Sequence, residues 1–222
     1  GSIGASNWNT IKGGLANAIN SLVPTDGSYE ISVVNFSNTA VTAVNHVLID
    51  SVAARASVVN MINNMAFLNS TTNMQAAFNQ MSSILQGSSL EIDNSYVNFA
   101  TDGQANWSCG GCDNDALSIA ARNALIADAG VDNISIEAIG SGVDPAFLQN
   151  GICYPGPCTI APTFSFPGNG FYIPVANAAA YATAINQKIA IVTNQPIPEP
   201  GMVAIFALGL LGIAGVRMRM SA

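Results

Sequence analysis

The hydrophobic pattern of this chain changes period several times, and that alternation constrains its fold more than any single residue does. Trp8, Ile11, Leu15, Ile19 and Leu22 recur at the spacing of one helix face, and Pro24 ends that helix. Tyr29 to Phe36 then reads as a strand, Ser37-Asn38-Thr39 as a turn and Ala40 to Ile49 as a second strand. So short a connection makes the pair an antiparallel hairpin. Ala53 to Met65 returns to helical spacing, and the polar loop Asn69-Ser70-Thr71-Thr72-Asn73 leads into a further helix through Leu85. The strand Tyr96 to Ala100 runs into Thr101-Asp102-Gly103 and a Cys-containing loop. Asp113 suits the N-cap of a helix from Ala116 to Ala129, which Gly130 stops. Asn133 to Ile139 is the next strand, with Gly140 and Gly142 in the turn after it. A Pro- and Gly-rich excursion over 151–170 precedes a short strand, Phe171 to Ile173, and a last helix, Ala176 to Ile191. Helices and strands in such alternation define an α/β domain.

Composition narrows what that domain can do. The 222 residues are half hydrophobic and 9% charged, enough to bury one core and carry an appendage. Up to Pro200 thirteen acidic residues face four basic ones, a balance of −9. An acidic body repels phosphate backbones, so nucleic acid is not an expected partner. The chain opens at Gly1 without an initiator Met or secretory signal and reads as a fragment.

The tail is a different kind of segment. Pro198-Glu199-Pro200 precedes an apolar run from Gly201 to Val216, followed by Arg217-Met218-Arg219. Sixteen apolar residues fall short of the roughly 20 that span a bilayer comfortably, and the basic flank favours the cytoplasmic side. This suits temporary retention in the membrane better than a permanent anchor. The order of box, apolar stretch and terminal arginines resembles the PEP-CTERM sorting signal. The resemblance implies export, a Gram-negative source that secretes polysaccharide, display at the cell surface or release from it, and processing by an exosortase-type membrane protease. The expected organisation is a domain over 1–192, a linker with the Pro-Glu-Pro box over 193–200, and a hydrophobic and basic tail over 201–222.

Three stretches carry chemistry suited to a hard cation. Gly1-Ser2-Ile3 looks like the end of an Asp-x-Ser-x-Ser motif, Ser70-Thr71-Thr72-Asn73 like a Gly-Gly-Thr-Asn loop, and Thr101-Asp102-Gly103 like a Thr-Asp-Gly loop. Ala138-Ile139-Gly140-Ser141-Gly142-Val143-Asp144 looks like the strand and glycine turn that follow. In this order and spacing they resemble a von Willebrand factor type A (VWA) domain. The resemblance implies a Rossmann-like three-layer sandwich with a mostly parallel sheet and one antiparallel edge hairpin. It also implies a metal-ion-dependent adhesion site (MIDAS) in which Ser2, Thr72 and Asp102 hold Mg2+ (or Mn2+ or Ca2+). A partner's acidic side chain completes the coordination, since Mg2+ binds few protein oxygens and keeps several waters. Thr71 is an alternative to Thr72, because Ser70 and Thr71 replace the small glycines. The Asp and first Ser of the first loop, and the central strand before them, would precede Gly1. Metal binding therefore depends on an upstream Asp-x-Ser.

An exported protein meets an oxidising compartment, which favours disulfides. Cys109–Cys112 and Cys153–Cys158 are the preferred pairs, although four cysteines permit three pairings. His46, the single histidine, sits in a strand pattern and reads as structural. With no nucleophile turn and no dinucleotide fingerprint, no enzyme is expected. Two functions follow: a metal-dependent binding module for a protein or matrix ligand, or a metal-independent structural component of an exopolysaccharide matrix.

Overall fold

Local chemistry sets most helix ends in this protein, for which a computed structural model describes residues 3–88, 94–107 and 110–193. Helix α1, Gly4–Leu22, buries Ile11, Ala18, Ile19 and Leu22 on one stripe and ends before Pro24. Strands β1, Glu30–Phe36, and β2, Ala40–Leu48, form the expected antiparallel hairpin, with Phe36 opposite Ala40. Helix α2, Val52–Asn63, is capped by the Ser51 hydroxyl, which accepts from the Ala54 amide. Asn73 caps α3, Met74–Gln86, by accepting from Ala76. After β3, Tyr96–Thr101, Asp113 caps α4, Asn114–Ala129, and Gly130 closes that helix at φ 65°. Then come β4, Asn133–Ile139, and a single turn, α5, Pro145–Phe147, which continues into a π-type turn, Leu148–Ile152. Strands β5, Thr159–Ile160, and β6, Phe171–Val175, lead to α6, Ala178–Val192.

The strands β3-β4-β6-β5 make an all-parallel sheet. Every residue of β4 is buried, as expected of a parallel strand covered on both faces. Phe78, Phe99, Leu125, Ile134 and Ile136 pack under α3 and α4. Ile11, Ile139, Phe171 and Ile185 pack under α1 and α6. Gly14 permits the close crossing of those two helices: a Cβ there would lie 3.1 Å from Ala182 Cα. The hairpin with α1 and α2 closes a third cluster around Ile19, Val44, Ile49, Val58 and Ile62. The architecture is the expected three-layer α/β sandwich with its antiparallel edge hairpin.

The sheet is not continuous. Hairpin and parallel sheet are separate, and a groove of about 880 Å³ is lined by β1 on one side and β3 on the other. Phe36 and Phe99, 5.4 Å apart and stacked, join the two pieces on the α3 side. The Pro- and Gly-rich 151–170 excursion contributes the edge strand β5 and holds the expected Cys153–Cys158 disulfide, with Cα atoms 6.0 Å apart.

His46 fastens the hairpin to α3. One ring nitrogen lies 2.5 Å from the Glu30 carboxylate and the other 2.7 Å from the Ile84 carbonyl. Both partners are acceptors, so the imidazolium alone can donate to both. The hydrogen bond to Glu30 raises the His46 pKa, outweighing burial, with the Ile84 carbonyl adding to the rise. A raised folded pKa contributes stability that is complete below the unfolded value of 6.5 and is lost as pH climbs through the folded one. Thermal melts from pH 6 to 9 should therefore show a loss that His46→Asn abolishes. Asn tolerates the positive φ of 49° at this position.

Candidate metal centre

Open α/β sheets gather their loops at the carboxyl ends of the strands. Here the loop after β3 begins with a self-supporting turn. The Thr101 hydroxyl donates to the Gly103 carbonyl at 3.1 Å and accepts from the Gly103 amide at 3.3 Å, which sets Asp102 between them. Gly142, in the loop after β4, lies against that turn: a Cβ there would stand 2.6 Å from the Asp102 carbonyl oxygen. Only glycine fits so close an approach.

The loop before α3 is tied to the loop after β3 by one residue. The Thr72 amide donates to Asn106 Oδ1 at 2.7 Å, and the Asn106 amide donates to the Thr72 carbonyl at 3.0 Å. Ser70, Thr71, Thr72, Thr101 and Asp102 line the groove between the sheet pieces, as does Ile3. Ile3 also packs against the cluster that holds Ile139 and Val175, the last residues of β4 and β6.

The two threonines differ in what their hydroxyls already do. The Thr71 hydroxyl donates to Asn38 Oδ1 at 3.3 Å, and the Thr71 carbonyl accepts from Ser37. Among the described residues neither the Thr72 hydroxyl nor the Asp102 carboxylate has a hydrogen-bond partner. Nearby carboxylates are committed elsewhere: Asp113 caps α4, and Asp144 accepts from the Phe147 amide. Partial desolvation, then the charges of Asp113 and Asp144, hold the Asp115 carboxyl above its usual range. Such a crowded acidic edge attracts cations.

No three His, Cys, Asp or Glu side chains among the described residues are grouped to hold a metal ion. Among the described residues, the oxygens on offer here are hydroxyls beside the Asp102 carboxylate. Thr72 and Asp102 fit that description, because Mg2+ is commonly held by one or two carboxylates and retains several waters.

Ser2, Cys109, Pro198, Glu199, Pro200, Arg217 and Arg219 lie outside the described residues. Cys112 is disulfide-bonded. Among the described residues no helix is long and apolar enough to cross a membrane. Two features escaped the sequence reading. Asn106, which joins the loops, carries no motif. The buried pair Glu137 and Lys188, 3.2 Å apart beneath α6, looks in sequence like ordinary surface charge.

Comparison with known proteins bears on the tail and on the fold. Residues 196–219 match the PEP-CTERM protein-sorting motif. Proximal thread matrix protein 1 from the mussel byssus is similar in structure, with a TM-score of 0.65 at 15% identity, over 86% of this chain and 44% of that one. A further structure of that protein, described as having a zinc-occupied MIDAS motif, gives a TM-score of 0.63 at 16% identity over the same shares. A von Willebrand factor type A protein from Catenulispora acidiphila gives 0.61 at 16% identity, over 86% of this chain and 39% of that one. The chain thus spans less than half the length of these structures. No curated protein matches the sequence. The fold is that of a VWA domain. The chain joins that fold to a C-terminal PEP-CTERM sorting motif, which indicates export.

Proposed function

We propose that this protein is a surface-displayed or released binding module of a Gram-negative bacterium. Its VWA domain captures a protein or matrix ligand through a divalent cation. Thr72 and Asp102 supply oxygens, and Ser2 with an upstream Asp-x-Ser completes the protein's share. The cation would act as a Lewis acid toward an acidic side chain of the ligand. An exosortase-type protease processes the tail near Pro198-Glu199-Pro200, after transient membrane retention.

The observation that carries this reading is the pair of uncommitted oxygens, Thr72 hydroxyl and Asp102 carboxylate, beside Thr71, Asp113 and Asp144, whose side chains are engaged. Calorimetric titration with Mg2+ and Mn2+, on the chain extended by its encoded upstream residues, tests it. Saturable binding that weakens at least about a hundredfold (roughly 2.7 kcal/mol) in Asp102→Ala is expected. Binding unchanged in that variant would sink the assignment. A second reading, a metal-independent matrix component, draws on Ser70 and Thr71, which stand where the resembling loop has small glycines. Adhesion to purified matrix that persists in chelator would favour it.

A further inference from the structure

Helix α2 turns an uncharged stripe outward. Ser57, Asn60, Met61 and Asn64 follow at i, i+3, i+4 and i+7, the spacing of one helix face, and all four are exposed. With Asn35 of β1, Val41 of β2 and Leu68 of the loop after α2, they line a surface pocket of about 440 Å³. Small-molecule sites run from roughly 300 to 1,000 Å³.

The lining is of two chemical kinds. Val41 and Met61, 50% and 40% exposed, offer apolar contact. Ser57, Asn60 and Asn64 offer a hydroxyl and two carboxamides that no described residue engages. Asn60 stands inside α2, where Asn is a weak helix former and makes no side-chain bond in return. Asn35 is buried, and its Nδ2 donates to the Ala66 carbonyl at 2.8 Å. That bond fixes the amide and leaves Oδ1 as an acceptor without a donor among the described residues.

Charge decides what such a pocket can take. From Ala40 to Leu68 the ionisable side chains are His46, Asp50 and Arg55, and none of them lines the pocket. An anionic ligand meets no cation there and is repelled by the acidic body, while a cationic ligand meets no carboxylate. A carboxamide donates and accepts at once, so it matches a hydroxyl, which does the same. Apolar side chains between such amides match the C–H face of a ring. Neutral carbohydrate presents both surfaces together.

We propose that this pocket binds a neutral glycan chain. The side chains of Asn35, Asn60 and Asn64 hold its hydroxyls, and a sugar ring lies against Val41 and Met61. The contact needs no cation. It supplies a ligand class for the metal-independent reading above and holds equally if the cation site works.

Saturation-transfer-difference NMR on the full chain in EDTA tests this. The probes are neutral hexasaccharides of glucose, of galactose and of mannose, with hexagalacturonate as the charged counterpart. At least one neutral probe should bind, at least about tenfold more tightly than hexagalacturonate. Asn60→Ala combined with Asn64→Ala should weaken that binding at least about tenfold, because hydroxyls of the bound sugar lose their partners. Both positions are exposed and Ala favours helix, so an unchanged circular dichroism melt is expected. Met61→Glu should abolish the signal by placing a carboxylate against the ring. Failure of every neutral probe, unchanged binding in the double Asn variant, or preference for hexagalacturonate overturns the proposal. Amide shifts at Asn60 and Asn64 that grow with protein concentration would assign this face to a second copy and also overturn it. Since chelator is present throughout, none of these outcomes bears on the metal reading.

Discussion

Replacing Lys188 by Met is expected to lower stability by about 3–5 kcal/mol, because it leaves a buried carboxylate without its counter-charge. Glu137 is fully buried and Lys188 is 2% exposed. The Lys188 ammonium lies 3.2 Å from Glu137 Oε1 and donates to the Ser135 carbonyl at 2.5 Å. Neither Glu137 oxygen has a well-formed hydrogen bond among the described residues. Burial lowers the Lys188 pKa to about 8 despite the attraction of Glu137, and burial raises that of Glu137 despite Lys188. Each shift means that charging the group costs free energy in the folded state. The double variant Glu137→Leu with Lys188→Met should therefore recover most of the loss or exceed the parent. In the single variant Glu137 binds a proton more readily folded than unfolded, so its deficit should narrow as pH falls toward 5. Urea unfolding at pH 5 and pH 7.5 checks both statements, and a double variant as unstable as the single one would refute the account.

Gly170→Ala should be nearly as damaging, at about 3 kcal/mol and a melting-temperature drop of roughly 6–12 °C. A Cβ at Gly170 would lie 2.6 Å from Cys153 Sγ, 2.6 Å from the Tyr154 carbonyl oxygen and 2.8 Å from the Ile134 carbonyl oxygen. None of these can yield easily, since two belong to backbone and the sulfur is held in a disulfide. Gly170 also donates to the Pro155 carbonyl and accepts from the Thr159 amide, so moving it loosens β5 too. Differential scanning calorimetry gives the shift directly, and a change under 2 °C would show that the excursion accommodates the methyl group.

Much of this fold is legible in the sequence because periodicity reports burial wherever one face meets a core. The stripe of α1, the hairpin turn at Ser37-Asn38-Thr39, the Asp113 cap and the Gly130 stop all appear where local chemistry places them. Glu137 is harder to read. In Asn133 to Ile139 a polar residue at alternate positions looks like a solvent face, but both faces of β4 are covered. Lys188 likewise resembles a surface residue of an amphipathic helix until α6 is seen packed across Ser135. Strand β5, only two residues long, has too few side chains to show a period. At the candidate site, Thr72 and Asp102 are visible through their motifs, but the choice of Thr72 over Thr71 rests on which hydroxyl is spent on Asn38. Asn106 works through its amide and backbone, a role no spacing announces.

The reciprocal bonds between Asn106 and Thr72 have a calorimetric consequence. They fix the relative positions of two loops when the chain folds, so the proposed capture of a cation there would order little additional backbone. Its heat-capacity change should then be small, unlike that of a segment that condenses around its ligand. On the proposed reading, the affinity of so rigid a cradle would be governed by how readily the ion sheds water. Ions of similar charge would be ranked by the ease of their dehydration rather than by how far the protein can bend to meet them.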